Sequence, residues 1–249
     1  MTRRFVGDLF KRKSKLLASQ TSRIFFYRKF GIQKDPYDTY DYLMDLSEQI
    51  NSKSSFYFLS GKKSIYDPDY FLNHRKIKQV MRKINQRGHI IGIHPSYHTY
   101  NNNQLWEKEY TRLALISPQV IKSGRQHYLR FAVPHTWQIW EDHNLDHDSS
   151  MGYADCVGFR CGICTPFTVF NFLSRQKLKL KEKPLHIMDA TLVEYRKLAP
   201  EQSKKEILKI IGKVKKYKGT FVILWHNSSF TIPPWDNYQD IYQEILFDH

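Results

Sequence analysis

The chain has 249 residues, 41% hydrophobic and 15% aromatic, and carries 39 lysines and arginines against 24 aspartates and glutamates, for a formal net charge of +15. That length buries a substantial core and matches a single α/β barrel. No stretch approaches the roughly 18 apolar residues that span a bilayer, and the opening MTRRFVGDLFKRKSKLLASQ lacks the apolar centre of a signal peptide, so a soluble cytoplasmic protein with no transmembrane segment is expected.

From the N-terminus, residues 1–34 form a basic segment in which Arg3, Arg4, Lys11, Arg12, Lys13 and Lys15 cluster, and residues 35–249 read as one domain. Helical spacing predicts helices over 39–50, 73–86, 104–115, 135–143, 166–174, 201–216 and 237–246. Short runs rich in β-branched or aromatic residues predict strands over 55–59, 89–94, 126–131, 185–189 and 220–226. The alternation is that of repeated β-α units, with helices crossing between parallel strands. Only five or six strands are visible, fewer than a closed barrel needs. Either strands hide in the irregular stretch 140–164, WEDHNLDHDSSMGYADCVGFRCGIC, or the chain begins after its first strand. A long irregular connection of that kind suits a binding loop.

The net charge favours an anionic partner, yet its distribution argues otherwise. Lys204, Lys205, Lys209, Lys213, Lys215, Lys216 and Lys218 share a segment with Ile207, Leu208, Ile210, Ile211, Val214 and Tyr217 at helical spacing. The lysines are therefore read as a solvated face, and no specific nucleic-acid partner is expected. Cys156, Cys161 and Cys164 lie close together without a fourth ligand at zinc-ribbon spacing, and are read as small buried thiols. Oligomeric state is not legible.

The strongest local signal is GHIIGIHPSYH, residues 88–98. An apolar strand delivers His94 to its C-terminal end, Pro95 opens a turn, and His98 follows four residues after His94, a spacing at which two imidazoles can chelate one metal ion. The string G-H-x-I-G-x-H-x-x-x-H resembles the second motif of the NodB-homology polysaccharide deacetylases. SSFYFLSG at 54–61 is similar to that family's second strand, RQHYLRF at 125–131 takes the place of its third motif without the usual Arg-x-Pro-Pro-Tyr, LDHDSSMGY is similar to an Asp-Ser-Ser segment, and LWH at 224–226 matches its Leu-x-His motif. The likeness runs from about Asp35 to Asn227 and is nearest to an uncharacterised branch from bacterial polysaccharide gene clusters.

The resemblance implies an irregular, distorted β/α barrel and a metal-dependent hydrolase that removes N-acetyl groups from a cell-surface glycan or its precursor. It assigns His94 and His98 as ligands of a divalent metal, zinc in the family's pattern, His226 as the general acid, and Arg125 as the group that orients or balances a catalytic carboxylate. Arg160, between two glycines, and Trp225, beside the acid, are candidates for sugar contact, with Tyr97 of the same motif. His127 has no family role and reads as a structural strand residue. The family's first motif, two carboxylates ending the first strand, has no equivalent before Ser54, so the barrel is expected to lack its first strand. Asp35 and Asp38 read as caps or turn residues, and Tyr66-Asp67-Pro68-Asp69 as a turn. A catalytically inactive glycan-binding or scaffold protein is the alternative.

Overall fold

The computed structural model describes residues 15–31, 35–61, 64–67, 71–230, 235 and 238–247. The basic residues at 3, 4, 11, 12 and 13 lie outside them. A helix not foreseen from the sequence, α1 (Lys15–Lys29), precedes α2 (Tyr40–Gln49). Asp35 and Asp38 form the turn between them, where Asp35 Oδ1 accepts the Tyr37 amide at 3.1 Å; α2 is capped at Thr39 instead, without a side-chain hydrogen bond.

β1 (Ser55–Leu59) pairs in parallel with β2 (Ile90–His94), joined through α3 (Arg75–Gln86). The helix starts at His74, whose imidazole accepts the Lys76 amide at 3.2 Å, and turns Met81 and Ile84 fully inward. α4 (Asn103–Ala114) starts at Asn102, which accepts the Leu105 amide at 3.0 Å, and buries Trp106 and Leu113. Next come β3 (Ser123–Gly124), a 3-10 turn (His127–Leu129), α5 (His135–Asp142) and β4 (His147–Asp148). β5 (Phe167–Asn171) and β6 (Gln176–Glu182) form an antiparallel hairpin. The chain ends with β7 (Ile187–Met188), a π-helical turn (Thr191–Tyr195), α6 (Pro200–Lys216), β8 (Ile223–Leu224) and α7 (Gln239–Phe247).

Six strands form one sheet in the order β1-β2-β3-β4-β6-β5, and β7 and β8 form a second parallel pair. Close packing at the sheet centre demands two glycines. A Cβ on Gly92 would meet the Ser123 carbonyl and the Tyr57 ring, and one on Gly124 would meet the Ile93 carbonyl. Only hydrogen at those positions lets β2 and β3 approach. The sheet is open: among the described residues β1 pairs only with β2 and β8 only with β7. Between these edges runs a groove of about 1650 Å³ lined by Tyr57, His94, Arg125, His127, Trp225 and His226, among others.

Four expectations are corrected. Residues 126–131 are not a strand, because buried Gln126 donates its side-chain amide to Ser96 O at 3.0 Å and Thr99 Oγ1 at 2.6 Å and the next residues turn, with Tyr128 and Leu129 at φ 59° and 51°. In place of a helix over 166–174, residues 167–171 form a strand and 172–174 a turn, since β6 offers a partner whose alternation buries Leu178, Leu180 and Glu182 and exposes Lys177, Lys179 and Lys181. The three thiols are free, and only Cys164 is buried; Cys156 is exposed and Cys161 half-buried. On α6, Ile207, Ile210, Ile211 and Val214 are buried while Lys205, Lys209, Lys213, Lys215 and Lys216 face solvent. Leu208 and Tyr217, placed on the inner face from their spacing, are exposed. No helix among the described residues is long and apolar enough to cross a membrane.

Candidate active site

Parallel strands bring their C-terminal ends to one side, and there the chemistry collects. β2 ends at His94, whose Nδ1 lies 2.6 Å from the Arg125 carbonyl oxygen. A carbonyl only accepts, so Nδ1 carries the proton and Nε2 keeps its lone pair. Burial, with the neighbouring His127 next, holds the His94 pKa well below the usual imidazole value, so this ring is neutral near pH 7.

The His127 ring stands 4.9 Å from that of His94, centroid to centroid, at 67°. Its Nδ1 lies 2.7 Å from Oδ1 of Asp67, a carboxylate buried to 1% exposure. The same Oδ1 accepts the Tyr97 amide at 3.1 Å, and Oδ2 accepts the Ser64 hydroxyl at 2.5 Å. Burial outweighs Asp67 and lowers the His127 pKa. Asp67, read from sequence as part of a turn, is thus the carboxylate that fixes a histidine at the mouth of the groove, and His127 lies in that groove instead of along a strand.

His226 follows β8. Its Nδ1 lies 2.7 Å from Asp189 Oδ1 and its amide donates to Asp189 Oδ2 at 2.9 Å. The carboxylate is fully buried and the imidazole side chain 46% exposed. Enclosure pushes the His226 pKa down, but the Asp189 charge and hydrogen bond push harder and raise it. For Asp189, burial opposes ionisation, and the His226 charge and hydrogen bonds overcome it to hold the carboxyl low. All three rings therefore have Nδ1 engaged by a protein acceptor, and none makes a hydrogen bond through Nε2 with the described residues. Second partners on Nδ1 are what orient imidazoles that bind metals or move protons.

Arg125 is 6% exposed. It donates from Nε to the Ser149 carbonyl at 2.7 Å and from Nη2 to Ser149 Oγ at 2.8 Å, with its guanidinium carbon 5.4 Å from the Tyr57 ring centre. No described carboxylate forms an ion pair with it. Behind it sit Asp148 and Glu182, both fully buried. Burial raises the pKa of each, Asp148 to about 6 and Glu182 further, and the two repel when both ionise. Asp148 Oδ2 has no donor while both are charged, so one shared proton satisfies the pair.

His98 is exposed and does not line the groove. It packs edge-on against Tyr97 at 5.1 Å and Tyr66 at 5.8 Å, while Tyr66 and Tyr97 stack at 4.0 Å and Arg130 lies 4.1 Å over the Tyr97 ring. Trp225 lines the groove and donates from Nε1 to the Ser229 carbonyl at 3.1 Å. Arg160 is exposed, does not line the groove, and donates to the Gly152 carbonyl at 2.9 Å. The groove thus gathers His94, Arg125, Trp225 and His226 of the expected residues, with His127 added. His98 and Tyr97 lie in the adjoining aromatic cluster, tied to His127 through Asp67. Asp189 had a signal, since LHIMD ends a strand with a carboxylate as LWH ends one with a histidine. Asp67 had none, being 60 residues from its partner. Among the described residues no group of three His, Cys, Asp or Glu side chains could hold a metal ion.

No protein-family model matches the sequence, and no curated protein does. Solved structures do. A Mycobacterium smegmatis protein ascribed to the polysaccharide deacetylases aligns at TM-score 0.62 and 14% identity, over 85% of this chain and 72% of its own. A polysaccharide deacetylase from Bacillus cereus aligns at 0.46 and 14% identity, over 84% and 79%, and a Bordetella bronchiseptica protein ascribed to the same activity in O-antigen biosynthesis at 0.42 and 13%, over 83% and 74%. Only the first is near enough to carry weight, and at that identity it speaks of fold: the chain has the α/β fold of the polysaccharide deacetylases, with its sheet open.

Proposed function

We propose that the chain is a metal-dependent carbohydrate N-deacetylase, acting in the cytoplasm on an N-acetylated polysaccharide or its precursor, with residues 35–249 as the working domain. The observation that carries this reading is the half-exposed His226, held by buried Asp189, across the groove from neutral His94. Asp189 keeps the Nδ1 proton in place, so the proton given to a departing amine leaves from Nε2, and the raised pKa keeps that proton available near neutrality. Arg125 supplies fixed positive charge behind the reacting carbonyl. Trp225 offers an apolar ring face to a pyranose in the groove, while Tyr97, stacked between Tyr66 and Arg130, and Arg160, outside the groove, would meet the sugar only where it extends beyond that cavity.

His94, with Nε2 free, is the donor that lines the groove for a divalent cation, zinc by preference, which would supply Lewis acidity toward the acetamide carbonyl when bound; His98, packed on Tyr66 and Tyr97 outside the groove, would have to turn toward it to be the second. Two imidazoles fall short of the usual three protein ligands, and the described residues offer no third. No proton transfer above depends on the cation. That shortfall is also the specific observation favouring a second reading, an inactive protein that binds glycan with the same fold.

The test is acetate release from N-acetylated chitin oligosaccharides with zinc added, alongside sugar binding by calorimetry and bound zinc by atomic absorption. The deacetylase reading expects release that drops about 100-fold or more in His226→Gln and zinc retention that is lost in His94→Ala. Saturable sugar binding without acetate supports the second reading. Neither binding nor release removes both.

A further inference from the structure

Because β3, β4 and β6 are parallel, the loops that lead into them emerge together, at the end of the sheet opposite the histidines. The turn between β5 and β6 is one of these loops. Buried Asn171 holds it from inside: its Oδ1 accepts the Leu173 and Ser174 amides at 3.0 and 3.1 Å, and its Nδ2 donates to Gln138 Oε1 on α5 at 2.6 Å. Glu141, on the same helix, accepts the Lys179 and Leu180 amides at 3.0 and 2.8 Å. The hairpin is thus fastened to α5, and what it turns outward is fixed. Phe172 is 54% exposed and Leu173 63%, two large apolar side chains side by side on a convex tip, where they contribute little burial to the fold. Cations stand behind them. Lys177 aligns with exposed Phe170, so the two share a face, and strand alternation puts Lys179 and Lys181 on it as well. Arg175, also exposed, closes the turn. None of these four cations forms an ion pair with a described carboxylate. In the loop entering β3, at the same end of the sheet, Leu115 and Val120 are exposed too.

We propose that this end of the molecule docks on the surface of an anionic membrane, with Phe172 and Leu173 entering the head-group region and Arg175, Lys177, Lys179 and Lys181 lying against lipid phosphates. Three features select a bilayer over another macromolecule. The apolar side chains project from a convex turn instead of lining a groove, and a fluid interface accepts protrusions that a folded partner must match pocket for pocket. A nucleic acid would reward the lysines but would leave Leu173 among phosphates and water. The layering, apolar at the tip and cationic behind it, is the order in which an interfacial segment meets acyl boundary and phosphate. The strands end in His94 and lead into His226 at the far end, so a molecule seated this way turns those rings away from the bilayer. The inference rests on the hairpin and holds whether or not the deacetylase reading does.

The probe is vesicles of phosphatidylglycerol and phosphatidylethanolamine in equal parts, set against vesicles of phosphatidylcholine alone, with the whole protein floated at physiological ionic strength. Flotation with the anionic vesicles is expected, and at least about tenfold less with the neutral ones. Changing Lys177, Lys179 and Lys181 together to Gln should weaken partitioning about 100-fold, near fivefold for each cation. Phe172→Ser with Leu173→Ser should weaken it about tenfold. All five side chains are exposed, and an unchanged Tm confirms that the variants fold. Changing Lys209, Lys213 and Lys216 of α6 to Gln should cost far less than the hairpin lysines do. No flotation with anionic vesicles overturns the proposal. So does flotation that the serine pair leaves unchanged, or that the α6 variant weakens as much as the hairpin variant, since the attraction would then belong to the net charge alone. Sedimentation showing a dimer that the serine pair dissociates also overturns it, because a second copy of the chain would then cover the tip.

Discussion

A carboxylate that holds a histidine from behind sets both where the ring points and when it is charged. Changing Asp189 to Asn removes the charge that raises His226, so the imidazole pKa falls and, if His226 is the acid, the high-pH decline of acetate release moves to lower pH, with a loss of about 10- to 100-fold. NMR titration of the ring checks the same shift without relying on activity. The stability signs follow: the raised His226 pKa contributes stability fully below 6.5 and loses it as pH rises through the folded value, while the depressed Asp189 pKa contributes fully above 3.8 and loses it as pH falls. The pair thus stabilises fully between those two pH values, and Asp189→Asn should flatten the urea midpoint on both sides. At the other histidine, Asp67 receives the His127 ring, the Tyr97 amide and the Ser64 hydroxyl. Asp67→Asn sets an amide NH₂ against donors and should cost about 1–3 kcal/mol by urea denaturation, with His127 still harder to protonate.

Between β4 and β6, the aligned pair Asp148 and Glu182 place two acids where water cannot reach. Both carboxyls bind protons more tightly folded than unfolded, so stability should fall as pH rises from about 4 through 6, where Asp148 titrates. Asp148→Asn should remove most of that slope, measured as the change of urea midpoint with pH. Nothing in the sequence marks these two as neighbours, 34 residues apart on strands of two and seven residues. The elements that were legible are those whose own pattern suffices: α3, α4 and α6 carry apolar residues at helical spacing, and β1 and β2 are compact apolar runs. β3, β4, β7 and β8 are two residues each and exist because of their partners. β6 carries a signal in the alternation of Lys177 to Glu182, and β5 depends on it, since a run such as FTVFN becomes a strand only beside another. At the site, histidines ending apolar runs could be found, whereas Asp67 and the 3-10 turn around His127 depend on contacts made after folding.

Across the whole molecule the formal charge of +15 is spread over solvated faces such as the α6 lysines. Binding to duplex DNA should therefore show no base preference and should fall steeply as salt rises, because released counterions supply its free energy. Fluorescence anisotropy at several ionic strengths checks this, and salt-resistant, sequence-selective binding would contradict it. The open flank between β1 and β8 also has a consequence in time. The Ile90 amide donates to the Ser54 carbonyl at 3.0 Å, so Phe56 and Phe58 turn their amides to β2 and Ser55 and Tyr57 turn theirs to the gap. Amides turned toward β2 are shut away from solvent until the sheet parts, whereas those turned to the gap meet water directly. Deuterium uptake along β1 should accordingly read as a zigzag, fast at Ser55 and Tyr57 and slow at Phe56 and Phe58, so that the unfinished barrel is visible as a rhythm of exchange in a strand whose ladder to β2 is otherwise regular.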